Sequence, residues 1–175
     1  MTADPRSPVC LKPAGGVAEA ALTSAANLLE VQFDDSGSIP HCSLLRLADP
    51  AAVMHCRLIE DDSSLVETLD ARNGFPVVTH SLSLTADRNL AEAWLNPQFA
   101  REAAAHGLTA FVKLNDGRQL LLGVSRRFGI EQPLRILSIT VDSGRKPADQ
   151  PAIRLLLESA DTAFAATLQP FTNEP

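Results

Sequence analysis

A chain of 175 residues, 45% of them apolar, is the size of one domain and can fill one compact core. Its 15 Lys and Arg against 21 Asp and Glu leave a net charge of −6. That balance repels phosphate backbones and anionic headgroups, which argues against a nucleic-acid reader and against a membrane-surface protein.

No apolar run approaches the ~20 residues of a membrane-spanning helix. Met1 to Pro13, with Asp4, Arg6 and three prolines, has no signal-peptide core. Three cysteines (Cys10, Cys42 and Cys56) are odd in number and too few for a disulfide scaffold, so the expected compartment is the cytoplasm.

Residues 1–16, with Pro5, Pro8, Pro13 and Gly15-Gly16, read as a flexible lead-in to a single domain over residues 17–170. Val17, Ala21, Ala25 and Leu28 form one apolar stripe and predict an alanine-rich helix from Val17 to Leu29. Asp34-Asp35-Ser36-Gly37 is a turn cluster. His41 to Leu47 and Ala52 to Glu60 read as two strands joined by a tight turn at Ala48-Asp49-Pro50. Ser64 and Glu67 have capping-box spacing and predict a short helix with Leu65, Val66 and Leu69 on its apolar side, closed by Asn73-Gly74; a strand over Leu65 to Ala71 stays open because so short a segment is not settled by periodicity.

Pro76 to Thr85 alternates, with Val78, Leu82 and Leu84 on one face and Thr79, Ser81 and Ser83 on the other, as in a half-solvated strand. A helix carrying Leu90, Trp94 and Leu95 starts at Asp87. Asn96-Pro97 then supplies the N-cap and first residue of a second helix ending at His106-Gly107. Leu108 to Leu114 and Leu120 to Val124 alternate around Asn115-Asp116-Gly117. A three-residue loop with left-handed Gly117 pairs Val112 with Leu120 and keeps the two apolar sets on one face. Leu134 to Val141 is a further strand, with Leu137, Ile139 and Val141 on one side. Pro151 opens a last amphipathic helix through Ile153, Leu156, Leu157, Ala160, Phe164 and Leu168, which Pro170 ends. The expected fold is α+β: an N-terminal helix, a mostly antiparallel sheet of about six or seven strands, interior helices and a C-terminal amphipathic helix.

Chemistry is sparse. His41-Cys42 and His55-Cys56 put four metal-ligand types close together, but neighbours on a strand point to opposite faces, so a hairpin gathers one His and one Cys and leaves a site two ligands short. Cys42 or Cys56 with His55 or His80 would make a nucleophile and base, yet no nucleophile elbow surrounds them. Asp34-Asp35 and Glu60-Asp61-Asp62 read as solvated turn carboxylates, and Arg126-Arg127 as a surface pair. Gly15-Gly16 lacks the spacing and the lysine of a phosphate loop, and Trp94 reads as core. No catalytic, cofactor-binding or metal residue is therefore expected.

The order of a helix, Val31 to Gly37, strands, the Phe111 to Phe128 hairpin with Asp116-Gly117-Arg118-Gln119-Leu120-Leu121-Leu122, and a closing helix over Pro151 to Leu168 resembles the class I chaperones of type III secretion. That resemblance implies a homodimer holding a segment of a protein client on hydrophobic patches without turnover. Leu120, Leu122, Leu156 and Phe164 are its partner-binding candidates. A second stretch, Asp49-Pro50, the strand Val53 to Ile59, Ser64, and Gly74-Phe75-Pro76-Val77-Val78, resembles the middle of flavin reductase-type split barrels. It implies FMN as an alternative cofactor, with Ser43, Ser63 or Ser64 near its phosphate. The third expectation is a structural or regulatory α+β domain of neither family.

Overall fold

The computed structural model describes residues 15–34, 39–60, 62–71, 74–88, 91–144 and 151–168. In chain order they form β1 (Val17–Ser24), β2 (Leu28–Asp34), β3 (His41–Leu47), β4 (Met54–Cys56), β5 (Ser64–Asp70), β6 (Val77–Asp87), α1 (Pro97–His106), β7 (Leu108–Leu114), β8 (Gln119–Leu122), β9 (Arg135–Asp142), β10 (Ala152–Asp161) and β11 (Ala166–Leu168). Seven strands make one sheet in the order β2-β3-β11-β8-β7-β1-β4, and four make a second in the order β5-β6-β10-β9. All neighbours are antiparallel except β11 and β3.

The α+β expectation is overturned. Strand accounts for 57% of the described residues and helix for 14%, with α1 the one α-helix. Both expected terminal helices are strands. In β1, Ala20 and Leu22 are buried on one face and Ala21 and Thr23 on the other, so Ala20 to Leu22 reads as a short continuous apolar run. Such a run satisfies a 3.6-residue stripe as easily as a strand. β10 hides the same ambiguity in Ile153 to Leu157: Ile153, Leu155 and Leu157 are fully buried at period two, while Leu156 faces outward. The segment from Ser64 takes its strand form, pairing with β6 from Ser64↔Ser83 to Asp70↔Val77. A 3₁₀ turn over Glu92–Leu95 replaces the helix expected from Asp87.

The expected tight turn at Ala48-Asp49-Pro50 is also corrected. Asp49 does cap a 3₁₀ turn, accepting from the Ala51 N–H at 2.9 Å, but β3 and β4 lie five strand positions apart and never pair. In β9 a bulge between Ile136 and Ser138 pushes Leu137 outward, 54% exposed, and leaves Ile136 and Ile139 opposite Leu157 and Leu155. Two expectations hold in detail. Asn96 Oδ1 accepts from the Gln98 N–H at 2.9 Å with Pro97 at the first helical position, and α1 ends before Gly107. Val112 pairs with Leu120 around a loop whose Gly117 has φ +90°. The lead-in to residue 14, most of the Asp34 to Gly37 turn and the end from residue 169 lie outside the described residues.

The seven-stranded sheet must curl. β1 and β2 are five strand spacings apart, roughly 24 Å in a flat sheet. The link from Ser24 to Leu28 spans at most about 14 Å. One face of this sheet packs on the four-stranded sheet through Leu22, Ala110, Val112, Leu122, Leu84, Ile153, Leu155 and Leu157. Its other, concave face gathers a smaller core of Leu28, Cys42, Leu121, Val124, Ala166 and Leu168.

Candidate binding cleft

Antiparallel register decides what the concave face presents. Ala21 pairs with Phe111 on one side and His55 on the other, and Glu19 pairs with Lys113. These side chains point away from the intersheet core because Ala20, Leu22, Ala110 and Val112 between them point into it. β3 reaches the same face by a bulge: Phe33 pairs with Cys42 and Gln32 with Leu44, so the register skips Ser43. Cys42 and then Leu45 and Leu47 can thus all face inward.

The result is a cleft of about 580 Å³, within the size range of binding sites. Its floor and walls are Ala21, Leu45, Leu47, Phe111 and Leu168, with Pro50 and Val53 of the β3–β4 link. The link is held by Asn27, whose side chain accepts from the Asp49 N–H at 2.8 Å and donates to the Asp49 carbonyl at 2.8 Å. The rim is polar: Lys113 Nζ donates to Glu19 Oε1 at 2.6 Å, beside Gln119 and the exposed His55. Phe111, Leu45 and Leu47 are only half-buried, so the cleft offers apolar surface to a partner.

The partner candidates read from the sequence are dispersed. Leu122 is fully buried and Leu120 4% exposed, both in the intersheet core. Neither presents its side chain to a partner on the sheet surface. Leu156 faces outward on the four-stranded sheet opposite Ser83. Phe164, 43% exposed, shares with Leu120 a second cleft of about 470 Å³. The charges of that second cleft are engaged. Glu67 Oε1 accepts from the Ala165 N–H at 2.7 Å, and Arg118 Nε donates to Asp116 Oδ2 at 2.8 Å. The bonds from the Arg118 backbone and guanidinium hold the Asp116 carboxyl below its usual range.

The described histidines and cysteines lie apart or buried. Among the described residues no group of three or more His, Cys, Asp or Glu is placed to hold a metal ion. His41 Nδ1 lies 3.0 Å from Thr167 Oγ1, while His55 sits across the curled sheet on β4. Burial pushes the Cys42 thiol up, against a smaller opposing contribution from the Leu44 backbone. Burial drives Cys56 to about 12 against a smaller opposing contribution from Trp94, so it is an unreactive thiol near neutral pH. His80 is buried, and its Nε2 lies 3.1 Å from the Ala163 carbonyl, which can only accept. Nε2 therefore donates to that carbonyl, and the ring serves as a structural tie.

The hydroxyls expected around a flavin phosphate do not converge. Ser43 Oγ on β3 donates to the Gln32 carbonyl of β2, Ser63 Oγ is buried and accepts from the Thr85 N–H at 3.0 Å, and Ser64 is exposed on β5. These residues do not fit FMN. Arg127 stacks over Phe128 at 5.4 Å, as a surface pair does. No helix among the described residues is long and apolar enough to cross a membrane.

The sequence reading missed the cleft residues Ala21, Leu45, Leu47 and Phe111. The available signal was Phe111 and Leu121, which face each other on the side of the β7–β8 hairpin opposite Val112 and Leu120. An apolar pair on both faces of one hairpin requires a second covered surface. Comparisons with protein-family models, curated proteins and solved structures find no match for this chain.

Proposed function

We propose that the chain is a non-catalytic binding module that holds an extended apolar segment of a partner polypeptide in the cleft of the curled sheet. The observation that carries this reading is the half-buried apolar floor of Leu45, Leu47 and Phe111 beneath a polar rim. A polypeptide is favoured over a flavin because the rim lysine is engaged by Glu19, and Ser43, Ser63 and Ser64 do not line the cleft.

The sheet edge favours an extended segment in particular. β4 has three residues, ends the seven-stranded sheet, and turns His55 into the cleft. A strand added beside β4 would satisfy its outer backbone and send alternate side chains over the apolar floor. This is passive holding of the kind that the resemblance to secretion chaperones implies, carried by a different surface from the one the sequence suggested.

The test is selection of displayed random heptapeptides on the wild-type protein and on Leu45→Glu. Enrichment of peptides with apolar residues at alternate positions, lost on Leu45→Glu, is the expected result. No enrichment, or enrichment equal on both proteins, overturns the reading.

A further inference from the structure

The two sheets have four edge strands: β2, β4, β5 and β9. An uncovered edge is a template for pairing with another chain. β9 is the longest, with eight residues against seven, three and seven, and it carries neither Lys nor Pro to block pairing. It has β10 on one side and, among the described residues, no strand on the other. α1 meets its beginning, where Arg135 Nη1 donates to the Ala104 carbonyl at 3.0 Å.

The faces of β9 follow from its pairing with β10. Ile136, Ile139 and Val141 oppose Leu157, Leu155 and Ile153 and so face the core; Arg135, Ser138, Thr140 and Asp142 face outward; Leu137 is the bulged residue. From these faces we infer that β9 is a homodimer interface, where two copies pair antiparallel about Ile139 and join their four-stranded sheets into one of eight strands.

Each pair in that register is chemically matched. Ile139 meets Ile139 of the second copy, and Ser138 meets Thr140. With the Leu137 bulge skipped on each strand, Ile136 meets Val141 and Arg135 meets Asp142, every pair except the central one occurring twice. Inward residues meet inward ones and outward meet outward, as an antiparallel ladder requires. Pairing also covers Val141 and Leu137, which are 44% and 54% exposed. Asp142 Oδ1 accepts from the Gly144 N–H at 2.9 Å, which holds the exposed carboxylate at the end of β9.

The other edges lack this match. Full-length two-fold pairing of β5 sets Glu67 against a second Glu67, and that of β2 sets Leu28 against Asp34. β4 is too short to hold a dimer by itself. The dimer is independent of what occupies the cleft, because the cleft belongs to the other sheet.

Sedimentation equilibrium of the purified chain, with Arg135→Asp, Asp142→Arg and the double variant, tests the inference. The wild type is expected to be a dimer. Each single variant places like charges across both ends and weakens association by about tenfold or more, and the double variant restores it. Both side chains are exposed, and thermal melting checks that every variant folds. A wild type that stays monomeric, a dimer indifferent to the single reversals, or a double variant that fails to recover would each overturn the β9 interface.

Discussion

The two faces of the seven-stranded sheet are built from the same strands yet packed in opposite ways. Toward the four-stranded sheet, Ala110, Leu122, Leu155 and Leu157 have no exposure at all and Leu22 only 1%. Toward the concave side, Phe111, Leu45 and Leu47 remain half-exposed over a cleft of about 580 Å³. β4 divides the two within adjacent residues: Cys56 packs on the intersheet core while His55 lines the cleft. Burial therefore concentrates on one face, and the other keeps apolar surface open.

Substitutions on the two faces should separate these roles. Leu157→Ala opens a cavity in the dry intersheet core and is expected to cost about 3 kcal/mol, read as a lower urea midpoint. Leu45→Ala on the cleft wall should cost about 1 kcal/mol while abolishing capture of the selected peptides, because Leu45 is only partly buried to begin with. Equal stability losses at the two positions would erase the distinction.

Cys56 sharpens the contrast through pH. Its folded thiol titrates near 12 instead of near 9, so the unfolded chain loses this proton first as pH rises. Stability then falls with rising pH between about 9 and 12, and is unaffected by this group below that window. Urea denaturation of wild type and Cys56→Ala across this range should show a steeper decline for the wild type. Smallest of all, Glu19→Gln at the exposed rim should shift stability by less than about 0.5 kcal/mol. It should still alter the salt dependence of peptide binding, because Lys113 loses its partner.

The parts of this fold legible in the sequence are those set by local chemistry. The Asn96 cap, Pro97 and the loop ending at Gly117 are fixed by side-chain bonds and backbone angles within a few residues. The terminal strands were not legible because β1 is covered on both faces, and because in β10 the outward Leu156 sits between the buried Leu155 and Leu157, a run that satisfies either period. The cleft was harder still. Ala21 and Phe111 are paired on neighbouring strands, but Leu45 reaches them from β3 only through the curl of the sheet, and it faces inward only because of the bulge at Ser43. The two helices that gave the chain its chaperone-like order are strands, so the proposed binding surface lies on the concave sheet instead of the C-terminal segment.

The most direct test is a backbone amide NMR titration of the ¹⁵N-labelled chain with the best selected heptapeptide. The account predicts shift changes confined to Ala21, Leu45, Leu47, His55 and Phe111, with none at Leu155 or Leu157 in the intersheet core. Shifts clustered instead around Phe164 and Leu65 in the second cleft, or spread over both sheets, would contradict it.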